Sequence, residues 1–195
     1  GQSISVSTNL SHGWRLFPGK GARMKFGIIG CGSIASSSFA PSLVNSSKVE
    51  LAAVCRRDLA AAQSFAADFG GCSAYASGQR LLEDPEVEAV IVSTPTDTHR
   101  DYTVAAAAAG KHVLCEKPMA RNRDECREMI DACDRAGVKL AVAYRRRMFP
   151  QVVEAKRLIA AGAIGTPVCA RTHYSGWGDL RSGAWQKEPG IGGAL

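Results

Sequence analysis

Four stretches of this chain carry residue types and spacings that could do chemistry. The first is Gly30-Cys31-Gly32-Ser33-Ile34-Ala35, a G-x-G-x-x-A series directly behind the apolar run Phe26–Ile29. At a strand-to-helix turn such a series suits a dinucleotide. Gly30 permits the tight turn, Gly32 lets the backbone approach a pyrophosphate with no Cβ in the way, and Ala35 lets helix and strand pack closely. Ser33 and Ile34 lie at the helix start, where unpaired amides and the helix dipole hold phosphates. The bland alternative is a purely structural glycine turn. The order strand, loop, helix, second strand favours the phosphate loop over it.

The second stretch is Arg56-Arg57, behind the run Val49–Cys55. An NAD site wants a carboxylate at this place to hold the ribose 2′-hydroxyl. No acid precedes Asp58, which suits a helix cap better. A guanidinium pairs bidentately with a 2′-phosphate or stacks on adenine, so Arg56 and Arg57 favour NADP over NAD. Arg57 could equally be a solvated surface side chain.

The third and fourth stretches are Ser93-Thr94-Pro95-Thr96-Asp97-Thr98-His99 and Cys115-Glu116-Lys117-Pro118, each at the carboxyl end of an apolar run. In an open α/β sheet, ligands lie outside the carboxyl ends of the strands, which puts both beside the phosphate loop. A lysine there can hydrogen-bond a reacting hydroxyl, stabilise a developing alkoxide or relay a proton. Taken alone, Lys117 would read as a surface lysine and His99 as a capping or packing histidine.

The elements that must position these residues follow from the hydrophobic pattern. Strands are predicted at Phe26–Ile29, Val49–Cys55, Ser73–Tyr75, Ala89–Val92, His112–Cys115 and Lys139–Ala143. Helices are predicted at Ile34–Val44, Leu59–Phe69 with Asp58 as N-cap and Gly70 closing it, Gly78–Leu82, Asp101–Ala109, Arg123–Arg135 and Gln151–Ala160. Apolar strands separated by helices of crossover length describe an α/β fold, a Rossmann-type doubly wound parallel sheet over residues 24–145. After Gly165 the rhythm changes. Pro167–Tyr174 reads as an extended strand, followed by Trp177, Trp185 and the Gly-rich stretch Gly190–Gly193. Residues 146–195 read as a linker helix and the incomplete beginning of an α+β second domain.

Composition narrows the partners. The chain has 195 residues, 46% apolar and 22% charged, which are ordinary globular values. No apolar run nears the roughly 20 residues of a membrane helix, so no membrane partner is expected. The net charge is +6, of which Arg15, Lys20 and Arg23 supply half in an acid-free stretch. Residues 1–23 are read as a leader or tag outside the fold, or alternatively a targeting segment. What remains is a weak basic excess. The run Arg145–Arg147 has no interleaved aromatics, so no nucleic-acid partner is expected. Seven cysteines without a C-x-x-C spacing suggest reduced thiols in a cytoplasmic setting. The four histidines are scattered and no metal site is expected.

Together the segments GIIGCGSIA (27–35), STPTDTH (93–99), GKHVLCEKP (110–118), YRRRMFP (144–150) and WQKEPGIGGAL (185–195) resemble the Gfo/Idh/MocA oxidoreductases, the family of glucose–fructose oxidoreductase and inositol dehydrogenase. The resemblance implies that Lys117 is the catalytic lysine. It also implies that Glu116 and Pro118 shape the nicotinamide pocket, and that Thr94, Pro95 and His99 lie along the cofactor. It further implies a sugar, polyol or related hydroxy compound as substrate, exchanging hydride with NADP(H). Two departures are visible. Arg145 stands where the family tends to have Asn, and Gln186 where it often has Arg. Arg147 matches a basic position of the motif, and Tyr144, Arg147 and Trp185 are candidates for the substrate side. Tyr174, Trp177 and Trp185 could stack on a sugar or equally form core of a second sheet. In the family, the GGAL segment leads into an Asp and a His that complete the catalytic set, and the following domain usually forms a homo-oligomer interface. A chain ending at Leu195 is therefore expected to bind NADP(H) but turn over poorly. Two alternatives stay open: a glycoside-cleaving enzyme that retains its cofactor, and a dinucleotide-binding regulator without catalysis.

Overall fold

Strand β1 (Met24–Ile29) lies at the middle of a six-stranded sheet with order β3-β2-β1-β4-β5-β6 and every pairing parallel. The computed structural model describes residues 23–173. The other strands are β2 (Val49–Cys55), β3 (Ser73–Tyr75), β4 (Ala89–Val92), β5 (His112–Cys115) and β6 (Leu140–Val142). The helices are α1 (Ala40–Val44), α2 (Leu59–Asp68), α3 (Gly78–Leu82), α4 (His99–Ala108), α5 (Arg123–Ala136) and α6 (Pro150–Ala160). This is the doubly wound α/β sheet read from the sequence.

The two-residue alternation of the strands explains the two layers of core. Ile28 and Ile91 point to one face, where they meet Ala35, Leu43, Leu51, Val54 and Phe65. Ile29, Val90 and Val92 point to the other, where they meet Leu81, Ala106, Val113 and Met129. All four residues of β4 are buried, as a strand covered on both faces must be.

Helix ends obey local chemistry. Asp58 accepts from the Ala61 amide at 3.1 Å, Ser77 from Arg80 at 3.3 Å and Asn122 from Glu125 at 2.9 Å. Gly137 closes α5 in the left-handed conformation, with φ 68°.

The structure departs from the sequence reading in three places. The helix predicted at Ile34–Val44 is not uniform, because Ala35–Phe39 form a π-helical turn before α1. Pro41 has no N–H to donate, and its ring would press on the carbonyl four residues earlier in a tight α-turn; the wider turn gives that ring room. Helix α4 starts at His99 rather than Asp101, entered through a 3-10 turn at Thr96–Thr98. Third, residues 167–173 form no strand, against the reading of Pro167–Tyr174 as extended sheet. No described strand neighbours them, and a lone strand leaves its backbone groups unpaired.

Helix α6 buries none of its residues within the described part of the chain. Arg23, assigned to the leader by sequence, forms an ion pair with Glu50 on β2 at 2.9 Å. Residues 1–22, Tyr174, Trp177, Trp185 and the Gly190–Gly193 stretch lie outside the described residues.

Candidate functional site

The strand register lines the candidate residues along one edge of the sheet. Ile29 is level with Cys55 on one side and Val92 on the other, and Val92 is level with Cys115. The residues that follow, Gly30, Arg56, Ser93 and Glu116, therefore leave the sheet at one height. Neighbouring strands are about 4.8 Å apart. Arg56 and Arg57 thus stand at the β2 end and the glycine loop at the β1 end. Thr94 and Pro95 stand at the β4 end, Glu116, Lys117 and Pro118 at the β5 end, and Tyr144 and Arg147 just beyond β6.

The glycine loop is fixed by its neighbours. The Gly30 amide donates to Cys55 O at 3.0 Å, the Ser93 amide donates to Ile29 O at 2.9 Å, and the Ser93 hydroxyl donates to Gly30 O at 2.8 Å. Gly30 has φ +102°, and a Cβ there would lie 2.7 Å from Ser93 O. Both the conformation and the space require glycine. Gly32 is different: a Cβ there would meet no heavy atom within 4 Å. The helix that follows runs from Ser33, behind a glycine that has no side chain to cap it, and the loop carbonyl of Gly32 accepts from Ser36 at 3.1 Å. The amides of Ser33, Ile34 and Ala35 are thus aligned at an uncapped helix start. Open space before such amides fits a dinucleotide pyrophosphate. Ala35 is fully buried against the sheet, as its close-packing role requires. Cys31 points inward; its thiol donates to Cys55 O at 3.3 Å, and burial pushes its pKa up to about 11. It is a packing group rather than a nucleophile.

Arg56 and Arg57 are exposed at the end of β2, and the Arg56 amide donates to Tyr75 O at 3.1 Å. Neither guanidinium is in an ion pair among the described residues. Asp58 is engaged as the cap of α2.

At the β4 end, the Thr98 hydroxyl lies 2.8 Å from both Thr94 Oγ1 and Pro95 O, so the turn is bonded to itself. Thr96 Oγ1 and Asp97 Oδ1 are buried without a hydrogen-bond partner. At the β5 end, the Glu116 amide donates to Val92 O at 2.9 Å. The Lys117 amide donates to the Glu116 carboxylate at 2.8 Å, and the Lys117–Pro118 peptide is cis. The Lys117 side chain is exposed at the edge. His99 is 1% exposed, and both of its ring nitrogens face backbone carbonyls. Tyr144 and Arg147 are exposed beyond β6, and Trp185 lies outside the described residues.

Two contributors escaped the sequence reading. Ser93, quoted only as part of a motif, ties the loop to β4. Glu125 is 7% exposed and holds the far leg of the lysine turn. It accepts from the Arg121 backbone amide at 3.1 Å, from Arg121 Nε at 2.9 Å and also from Arg121 Nη2. The signal was present as Asn122-x-x-Glu125, a capping-box spacing. The Arg121 guanidinium holds the Glu125 carboxyl below the usual carboxylate range. The folded chain therefore binds this proton less readily than the unfolded chain. The stabilisation is complete above the ordinary value of about 4.3 and disappears as pH falls through the lowered folded value. Glu125→Gln is expected to cost about 1–2 kcal/mol at pH 7, read by urea denaturation, with the difference from wild type shrinking in acid. Equal stability of the two proteins at pH 7 would contradict the role.

Residues 24–144 match the family described as "Oxidoreductase family, NAD-binding Rossmann fold". The chain belongs to the Gfo/Idh/MocA oxidoreductases. This Gfo/Idh/MocA chain is 38% identical over 152 residues to D-xylose 1-dehydrogenase (NADP(+)) 2 of Haloferax volcanii, covering 78% of this chain and 46% of that protein. Among solved structures it is similar to the 3-ketoreductase KijD10 of Actinomadura kijaniata in complex with TDP-benzene and NADP. The TM-score there is 0.68 and the identity 29%, covering 72% of this chain and 44% of that one. It is also similar to the WlbA dehydrogenase of Bordetella pertussis in complex with NADH and UDP-GlcNAcA, at TM-score 0.69 and 30% identity, covering 74% and 44%. The Gfo/Idh/MocA chain spans less than half the length of these relatives. Among the described residues no helix is long and apolar enough to cross a membrane.

Proposed function

We propose that this chain is the dinucleotide-binding part of an NADP-dependent oxidoreductase acting on a sugar, polyol or related hydroxy compound. Residues 24–145 form the cofactor unit and residues 146–195 lead into a substrate domain. One observation carries the reading: an open glycine loop, a pair of exposed arginines and an exposed lysine stand at the carboxyl ends of β1, β2 and β5, along one edge of the sheet. The seven free cysteines favour a reducing compartment.

The amides of Ser33, Ile34 and Ala35 would hold the pyrophosphate, with Gly32 giving it room. Arg56 and Arg57 would pair with the 2′-phosphate. The nicotinamide half would then run along Thr94 and Pro95 toward Glu116 and Pro118. When bound, the dinucleotide supplies the hydride acceptor or donor. The chain's own contribution to the chemistry is the Lys117 ammonium. It would hydrogen-bond the substrate oxygen, stabilise negative charge there and move its proton as the carbon changes oxidation state. Tyr144 and Arg147 stand one strand beyond Lys117, away from the adenosine end, and would meet the substrate.

The test is a panel of pentoses, hexoses and inositols with NADP+, run on the whole oxidoreductase of which this chain would be the dinucleotide-binding part and followed by nicotinamide absorbance. Turnover is expected to fall by about 10²–10⁴-fold in Lys117→Met, with NADPH affinity held within about threefold. Equal turnover in the variant would remove Lys117 from the chemistry. NADPH binding with no turnover of any panel member would favour a binding module over an enzyme.

A further inference from the structure

We infer that His99 is a positioning residue for Lys117: its buried ring joins the turn after β4 to the turn that carries the lysine. The inference rests on the proposed role of Lys117. His99 Nδ1 lies 2.9 Å from Pro118 O, and His99 Nε2 lies 2.9 Å from Thr94 O. The ring is 1% exposed and opens α4, a helix rooted in the core through Ala106 and Ala107. With both nitrogens directed at backbone carbonyls, it has no nitrogen to offer a cofactor.

The placement of the two carbonyls gives the bridge its consequence. The last bond joining this strand end to β4 runs from the Glu116 amide to Val92 O. Beyond it, the Lys117 amide is taken by the carboxylate of the preceding residue, and Pro118 has no N–H. Within the turn the Cys115 thiol donates to Glu116 O at 3.3 Å and to Met119 O at 3.7 Å, and the next tie to another element is Pro118 O to His99. Lys117 therefore sits between two anchors, one on each neighbouring residue, and His99 supplies the second. A carbonyl accepts, so the ring must donate: a singly protonated ring serves one of the two oxygens at a time, and a doubly protonated ring serves both. The other oxygen of the pair is Thr94 O, in the turn expected to line the nicotinamide. The ring thus fixes the distance between the lysine turn and the cofactor-lining turn. A misplacement of about 1 Å in such a constellation is enough to cost about 10²-fold in rate.

The experiment reads lysine geometry without turnover. Acetylation of Lys117 by acetic anhydride is quantified by peptide mass spectrometry against exposed Lys156, with and without saturating NADPH. In wild type, NADPH is expected to slow Lys117 acetylation by about tenfold. In His99→Phe, which keeps a ring and loses both ring nitrogens, the protection is expected to fall to about twofold, with NADPH affinity within about threefold of wild type. Asn places an amide donor near the Nδ1 position and Gln near the Nε2 position. His99→Asn should therefore recover most of the protection and His99→Gln little. That pair decides the matter even if the Phe variant is poorly folded. Unchanged protection in His99→Phe overturns the inference. So does equal loss in the Asn and Gln variants that tracks their melting temperatures, because that pattern marks a packing residue alone. Tight NADPH binding to wild type with no protection of Lys117 overturns the proposed place of the lysine itself, and the inference with it.

Discussion

Gly32→Val is expected to abolish dinucleotide binding while leaving the fold intact. A Cβ at position 32 meets no heavy atom within 4 Å among the described residues, and the backbone there is not in the left-handed region. The variant should therefore stay within about 0.5 kcal/mol of wild type in stability. The isopropyl group would instead occupy the space before the uncapped helix start, where a pyrophosphate must approach the amides of Ser33 to Ala35. Losing two charge-assisted hydrogen bonds of about 1.5–3 kcal/mol each weakens binding by more than about 10²-fold. Gly30→Ala, two residues away, should behave in the opposite way. Its methyl group would stand 2.7 Å from Ser93 O on a backbone with φ +102°, so strain and overlap act on the folded state directly. A loss of about 2–4 kcal/mol in stability is expected. Thermal melting and NADPH fluorescence titration of the two variants separate the cases. Normal NADPH affinity in Gly32→Val would show that the loop is structural.

Arg56→Asp should change which dinucleotide the chain prefers. Arg56 is exposed and its side chain makes no ion pair among the described residues, so the fold does not depend on its charge. Its substitution replaces a guanidinium that can pair with the 2′-phosphate by a carboxylate that repels it. The same carboxylate can accept from a free 2′-hydroxyl. NADPH affinity is expected to fall by about 10²-fold, while NADH affinity holds or improves by a few-fold. Parallel titration with the two reduced cofactors measures the ratio. Equal weakening of both would place Arg56 on a part of the ligand that they share.

The parts of the molecule legible in the sequence are those set by local rules. The buried strands appear as apolar runs because both faces of a parallel sheet are covered, and Asp58 is a visible cap because its carboxylate serves an amide three residues on. The glycine loop is visible for the same reason, since Gly30 answers to a backbone angle and a close approach. The π-helical turn at Ala35–Phe39 was hidden because Pro41 tells of a disturbed helix without telling how the chain relieves it. His99 was assigned to the cofactor by resemblance. Its partners are backbone carbonyls at Thr94 and Pro118, and no residue type reports a carbonyl brought near by the pairing of β4 with β5. Glu125 likewise serves the backbone of Arg121, on the far leg of the lysine turn. Both lie on the tertiary level, where sequence periodicity is silent.

The most direct test of the account is titration of the purified 195-residue chain with NADPH and with NADH, each followed by nicotinamide fluorescence. The account predicts saturable binding of both, with NADPH tighter by at least about tenfold, through the extra charge-assisted pairing at Arg56 and Arg57. Saturable binding with NADH the tighter ligand would contradict the assignment of the arginine pair. No binding of either by a folded chain would contradict the phosphate loop, and with it the proposed function.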